Sequence, residues 1–203
     1  MKVLDYLGGI HPDCGKEFYV QNDIIVTPFW TKSFCDDLIE LSNQMSDQFS
    51  KKINWATESS YAIGWDDLPI DKISPVLFQE FIGQYKRSII PLISRVYTYA
   101  SADIAGWFVP YILRYDKVGQ CADLHHDASS ITLNIKLNND YEGCNLVLPR
   151  QKFNAVDIPV GHAIIFPSTV THPHYSEPLI SGTKYSLTSW TWPPSWTATG
   201  LKN

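Results

Sequence analysis

The spacing of hydrophobic positions changes character halfway along the chain. From Thr31, a residue suited to capping, Phe34, Leu38, Leu41 and Met45 recur at i, i+4, i+7 and i+11, which predicts one face of an amphipathic helix. A second helical stripe opens at Ser74-Pro75, where serine can cap and proline tolerates the first helical position. Phe78, Phe81, Ile82, Tyr85, Ile89, Leu92, Ile93 and Val96 then keep one side apolar for about five turns. Pro91 predicts a break or kink near Ser88 to Ile90, because its ring opposes the preceding turn and it has no N–H to donate. Ahead of these helices, residues 1–22 carry Gly8, Gly9, Pro12 and Gly15 and read as an irregular lead-in, followed by a short strand at Ile24–Pro28. The polar run 46–60 predicts an exposed loop, and Tyr61–Ile70 a short extended piece.

After Ser101 the helical period disappears, and short β-rich runs alternate with turn residues. Strands are predicted near Trp107–Tyr115, Ala122–Asp127, Ser130–Leu137, Asn145–Leu148, Ala155–Ile158, His162–Phe166, Val170–Tyr175 and Tyr185–Trp192. Turns fall at Asn138–Asp140, Pro159–Gly161 and Ser181–Gly182. About eight strands after two helices predict a mainly β protein with helical support (α+β). The expected architecture is a double-stranded β-helix, a jelly-roll or cupin-like barrel braced by the N-terminal helices. With 203 residues and no linker or repeat, one domain is expected over 1–203, with 1–100 as helical support and 101–203 as the jelly-roll core.

Composition narrows the function classes. A chain that is 44% hydrophobic and 13% aromatic belongs to a folded globular protein, and a net charge of −5 argues against nucleic acid as a partner. No apolar run is long enough to span a membrane, and charges near the N-terminus interrupt any signal-peptide centre, so a soluble, cytoplasmic protein is expected. Cys14, Cys35, Cys121 and Cys144 lie far apart without a C-x-x-C, which predicts reduced, buried thiols rather than a zinc or redox motif.

The chemistry concentrates in Leu124–Asn138. His125 and Asp127 are two apart, so in a strand they share a face and can reach one ion, while His126 points away. An imidazole and a carboxylate completed by a second imidazole form the facial triad of non-heme Fe(II) oxygenases. His172 and His174 both offer that third ligand. An oxygenase of this type that uses 2-oxoglutarate also needs a fixed cation for the far carboxylate. Lys184 supplies one, with the Ser186 hydroxyl facing the same way. Thr132 and Asn134 share a strand face; Asn134 either lines the cosubstrate pocket or bonds within the barrel. Trp190 and Trp192 read as core or rim packing.

Taken together, His125-x-Asp127, a later histidine and a basic residue ten positions beyond it resemble the Fe(II)/2-oxoglutarate dioxygenases of the prolyl and lysyl hydroxylase type. In that family nine residues separate the distal histidine from the Lys or Arg, and counting back from Lys184 selects His174. The resemblance extends to Tyr115, where the family places a tyrosine that contacts 2-oxoglutarate, and to the strand GHAIIFP at Gly161–Pro167. HHDASSITLNIKLN followed by DYEGC looks like the catalytic domain of procollagen lysyl hydroxylases. Two departures stand out: Lys184 occupies a position where lysyl hydroxylases carry arginine and prolyl 4-hydroxylases carry lysine, and the family's glycine run before the cysteine is reduced to Gly143. The resemblance implies Fe(II), 2-oxoglutarate and O2, with ascorbate as a candidate co-reductant. It further implies hydroxylation of a peptide or protein side chain with release of succinate and CO2, lysine being favoured over proline. An inactive jelly-roll binding module is the remaining alternative.

Overall fold

The computed structural model describes residues 4–45, 62–63, 66–97 and 109–191; the loop expected over 46–60, Trp107 at the start of a predicted strand and Trp192 at the end of another lie outside the described residues. In chain order the helices are α1 (Tyr6–Gly9), α2 (Lys32–Gln44), α3 (Ile70–Ile73), α4 (Pro75–Gln84) and α5 (Ile90–Val96). The strands are β1 (Tyr19–Gln21), β2 (Ile24–Pro28), β3 (Ala62–Ile63), β4 (Asp66–Pro69), β5 (Tyr111–Tyr115), β6 (Cys121–His125) and β7 (Ile131–Lys136). They continue with β8 (Tyr141–Gly143), β9 (Leu146–Leu148), β10 (Phe153–Asn154), β11 (His162–Pro167), β12 (His174–Ser176), β13 (Leu179–Gly182) and β14 (Lys184–Trp190). A larger sheet runs β1-β2-β11-β7-β14-β5-β4 and a smaller one β10-β9-β12-β6-β3, with β13-β8 as a separate ribbon. Neighbours that are far apart in sequence, such as β7 beside β11 and β14, make this the jelly roll that the strand pattern predicts.

Period-two alternation explains both faces of the larger sheet. Ile131, Leu133 and Ile135 of β7, Ala163 and Ile165 of β11, Leu187 of β14 and Ile112 of β5 share one core with Phe81, Tyr85, Ile89, Leu92 and Ile93 of the helical segment. Each buried leucine, isoleucine or phenylalanine contributes roughly 1.5–3 kcal/mol by leaving water, so the helices bind the sheet as a continuous apolar brace. The alternate residues point between the two sheets. At one end of that space Ile24, Val26, Leu148, Phe153, Ile164 and Phe166 pack as a second core. At the other end the inward positions are polar, and a cavity remains.

The helix signals hold with informative differences. Thr31 caps α2 by accepting from the Phe34 N–H, and Ser74 caps α4 by accepting from the Leu77 N–H. The buried face of α2 is rotated from the expected stripe: Cys35 and Ser42 are buried beside Phe34 and Leu38, whereas Leu41 and Met45 are only partly buried. Ser42 is tolerated because its hydroxyl donates back to the Leu38 carbonyl. Where Pro91 predicts a break, the chain widens into a π-helical segment at Tyr85–Ile89 and re-enters α5, so the apolar side stays on the sheet. Gln84 ties the N-terminal region to this helix. It accepts from Tyr6 Oη (2.6 Å) and Trp30 Nε1 (3.1 Å) and donates to the Phe29 carbonyl (3.0 Å).

Several strand expectations need correction. The lead-in contains α1 and β1, and the extended piece splits into β3 and β4. No strand forms at Ala155–Ile158, where the Ile158 N–H closes a turn onto the Ala155 carbonyl; β10 lies just before it. Val170–Tyr175 shortens to β12 because the His172 N–H turns back to the Thr169 carbonyl and Pro173 has no N–H for a ladder. Ser181–Gly182 belongs to β13 rather than to a free turn.

Candidate functional site

Strands β6 and β12 are antiparallel neighbours in the smaller sheet, and their register makes His125 and His174 direct Cα partners. Contrary to the sequence reading, β6 ends at His125, so Asp127 lies beyond the strand. Its position is set instead by its N–H, which donates to the Ser168 carbonyl (3.0 Å). His125, Asp127 and His174 each offer one ligand atom, and the three atoms lie within 4.8 Å of one another. His125 Nε2 is 3.5 Å from Asp127 Oδ1, and His174 Nε2 is 3.5 Å from Asp127 Oδ2. Ligands about 2.1 Å from one ion and at right angles stand about 3 Å apart, so a small contraction would close this set around a divalent cation.

The ring orientations suit that role. Nδ1 of His125 faces the Asp123 carbonyl at 2.7 Å, and Nδ1 of His174 faces the His172 carbonyl at 3.1 Å. Each carbonyl holds the proton on Nδ1 and leaves the Nε2 lone pair directed at the carboxylate. Asp127 is held in turn by Thr132, whose hydroxyl donates to Oδ2 at 2.6 Å, within a chain that continues through Ser168 (2.8 Å) to Ser129 (2.5 Å). Burial works against ionisation of Asp127, but the hydrogen bond with His125, the charge of His174 and the bond from Thr132, with a smaller part from Trp190, hold its pKa below the ordinary carboxylate value. Burial also disfavours the charged form of His125, yet its contacts with Asp127 and the Asp123 carbonyl outweigh it and raise the pKa. For His174 burial wins over the pull of Asp127 and the pKa is lowered. An ionised carboxylate beside imidazoles with free Nε2 lone pairs is a donor set that fits Fe(II).

All eight candidate residues line one cavity of about 380 Å³: Tyr115, His125, Asp127, Thr132, Asn134, His174, Lys184 and Ser186. Lys184 lies deep within it, 6% exposed, donating to the Cys144 carbonyl at 2.6 Å with its ammonium 4.8 Å from the centre of the Tyr115 ring. Among the described residues it forms no salt bridge, and burial pushes its pKa down despite nearby Cys144. Gly143 shapes this contact. Gly143 and Cys144 both take positive φ, +75 and +52, in the turn that presents this carbonyl, and a Cβ on Gly143 would meet the Pro178 carbonyl at 2.3 Å. Tyr115 is Lys184's Cα partner across β5 and β14, so cation and phenol share a row of the sheet. Asn134 satisfies both alternatives, lining the cavity while its amide donates to Thr188 Oγ1 (2.9 Å). Ser186 Oγ is buried without a hydrogen-bond partner among the described residues.

Residues not singled out by sequence also line the cavity, notably Asp67, Tyr111, Ser129 and Thr188, and they are joined by Trp190, which was expected in core or rim packing. Trp190 is only half-buried and faces the cavity, its ring 6.0 Å from that of Tyr111. Strand phase from Lys184 would have placed it there. His126 is exposed, consistent with its expected outward phase, and His172 stacks on Phe166 away from the cluster.

A jelly roll with two imidazoles and a carboxylate converging in an open cavity has the plan of a metal-dependent oxygenase. Residues 110–192 match the 2OG-Fe(II) oxygenase superfamily and form a domain of that kind, homologous to the procollagen-lysine 5-dioxygenases. The chain is 28% identical over 181 residues to mouse procollagen-lysine,2-oxoglutarate 5-dioxygenase 1, a match covering 82% of this chain and 23% of that protein. Human procollagen-lysine,2-oxoglutarate 5-dioxygenase 2 is 25% identical over 178 residues with the same coverage. This chain thus spans about a quarter of the length of the curated relatives it matches. Among solved structures, a prolyl hydroxylase from Trichoplax adhaerens, bound to a hypoxia inducible factor peptide, superposes with a TM-score of 0.64 at 17% identity, covering 89% of this chain and 88% of that one. A collagen prolyl hydroxylase from Paramecium Bursaria Chlorella virus-1 gives 0.57 at 18% identity, covering 87% and 97%. These two share the double-stranded β-helix fold. The superfamily implies Fe(II), 2-oxoglutarate and O2 as reaction components. Among the described residues, no helix is long and apolar enough to cross a membrane.

Proposed function

We propose that the protein is an Fe(II)- and 2-oxoglutarate-dependent dioxygenase that hydroxylates a peptide side chain, with lysine the favoured target. The observation that carries this reading is the placement of two complementary features in one cavity: the His125–Asp127–His174 cluster and the buried Lys184 ammonium, which has no carboxylate partner among the described residues. A desolvated cation in that setting calls for an anion, and the far carboxylate of 2-oxoglutarate supplies it. In this reading His125, Asp127 and His174 hold the metal, Lys184 pairs with the cosubstrate, and Tyr115 and the unpartnered Ser186 hydroxyl stand ready to bind it. Bound there, Fe(II) with 2-oxoglutarate and O2 supplies the oxidising power to insert oxygen into a C–H bond, giving succinate and CO2. The chain's share is to orient and to exclude water. Thr132 fixes the Asp127 carboxylate, the Asp123 and His172 carbonyls fix the imidazoles, and Phe166 and Trp190 wall the cavity.

The helices and the larger sheet share one core, which supports a single folded unit over 1–203. The four cysteines are free, three of them buried, which supports a reducing compartment such as the cytoplasm. A prolyl hydroxylase is the second reading, favoured by the Tyr111–Trp190 pair beside the cavity, which would suit a proline ring.

Anaerobic titration with Fe(II) and 2-oxoglutarate tests the assignment. Wild type should develop the visible charge-transfer band of the chelate, and Asp127→Ala and His174→Ala should lose it. Absence of the band in wild type, or an undiminished band in either variant, sinks the assignment. Mass spectrometry on lysyl and prolyl peptides then locates the added oxygen.

A further inference from the structure

Asp66 and Asp67 are neighbours on edge strand β4 with opposite fates. Asp66 is the Cα partner of Arg114 and pairs with its guanidinium at 2.7 Å. Asp67 is the partner of Leu113, so alternation puts it on the face that carries Tyr111, Leu113 and Tyr115, the face lining the cavity of the metal cluster. Its Oδ1 is buried and has no hydrogen-bond partner among the described residues. Burial, helped by the charge of Asp66, pushes its carboxyl up to about 6, which still leaves it mostly ionised at neutral pH. An unpartnered buried acceptor costs on the order of 1–3 kcal/mol, more for a charged one. That cost falls when a donor arrives, and the cavity is the side from which one can come.

The cavity's own lysine does not serve, since Lys184 lies two strands away in the sheet and is engaged by the Cys144 carbonyl and the Tyr115 ring. The dianionic cosubstrate would be repelled by Asp67. Among the described residues Lys184 is the one lysine or arginine that lines the cavity, so the donor that fits is a cationic group on the substrate. Leu113, Tyr111 and Trp190 line the same space, apolar walls for an alkyl stem and ring faces for its charged end.

We propose that Asp67 is the residue that reads the substrate, binding the ε-ammonium of the target lysine and thereby selecting lysine over proline. This rests on the hydroxylase reading above and names what that reading leaves to choose. The carboxylate touches the substrate away from the reacting carbon, so it governs affinity and discrimination.

The test compares two peptides that differ only in lysine against norleucine, which keeps the stem and removes the charge. Affinity is read under anaerobic conditions from each peptide's perturbation of the Fe(II)/2-oxoglutarate band. Wild type should prefer the lysyl peptide at least tenfold; Asp67→Asn should bring the ratio close to one, and Asp67→Glu should retain most of it. Each ratio is internal to one enzyme, so a change in folded fraction does not move it. A wild-type ratio near one, or a ratio unchanged in Asp67→Asn, overturns the proposal while the band itself upholds the oxygenase reading. Absence of the band in wild type overturns both.

Discussion

His125 and His174 face each other as Cα partners across β6 and β12, with ring centroids 4.3 Å apart, and each is steered by a carbonyl two residues earlier in its own segment. The geometry is therefore built by backbone register before any ion arrives. A divalent ion should stabilise the folded chain without large rearrangement, by about 2.7 kcal/mol at one hundred times its dissociation constant. Thermal unfolding with and without Mn(II) under nitrogen checks this. His174→Ala should abolish the ion-dependent rise, and a rise that survives would remove His174 from the ligand set.

Thr132 extends this preparation. Its hydroxyl donates to Asp127 Oδ2 and meets Ser168, so Thr132→Val keeps the strand shape while freeing the carboxylate to rotate. Partners of metal ligands typically contribute 10–100-fold in metal affinity. Thr132→Val should lose at least tenfold in Mn(II) affinity by titration, with near-normal folding; unchanged affinity would show that the Asp127 N–H bond to Ser168 suffices.

Much of this arrangement is legible in the sequence because it depends on short-range periods. Lys184, Ser186 and Trp190 at even steps along one strand need only alternation to share a face, whereas Asp127, two beyond His125, reaches the cluster from outside β6 through its N–H bond to Ser168. Pro91 marks the disturbed helix for the same local reason. What escaped depends on pairing over distance. Asp67 becomes a cavity residue only because Asp66 is claimed by Arg114, 48 positions away, which settles the phase of an edge strand whose sequence contains two adjacent aspartates. Thr132 shares its face with the expected cosubstrate pocket, yet its hydroxyl is committed to Asp127, a partner that lies outside β6. Strands β8 and β13 are too short to announce themselves, and their pairing positions Gly143 and the Cys144 carbonyl against Lys184.

In the proposed reading Lys184 is a cation held for the cosubstrate at a cost to the empty protein. Its pKa is lowered chiefly by burial, so charging it in the folded state opposes folding, and this penalty is relieved as pH rises through the lowered folded value. Lys184→Met should therefore raise the melting temperature of the cosubstrate-free protein at neutral pH, by about 2–4 °C for each kcal/mol relieved. The same variant should raise the KM for 2-oxoglutarate at least tenfold, about 1.4 kcal/mol. A melting temperature that falls while KM is unmoved would make Lys184 a structural residue.

Asp67 predicts a second opposition between stability and function, with a defined pH window. An ordinary aspartate titrates near about 3.9 in the unfolded chain. In the fold Asp67 is raised to about 6 by burial and then by Asp66. The groups around it are Asp66, neutralised by Arg114 of β5, and Tyr111, which also senses Asp71. A raised carboxyl favours the protonated fold, so its contribution is fully present below about pH 4 and is lost as pH climbs through 6. Asp67→Asn should thus match wild type near pH 4 and exceed it at pH 7.5. Because the carboxylate is only partly buried, solvent screening reduces the gain to roughly 1 kcal/mol. Melting temperatures of the two proteins across that range decide the matter: a gap that is constant with pH, or that closes rather than opens toward neutrality, would mean that Asp67 carries no desolvation penalty for a substrate cation to relieve.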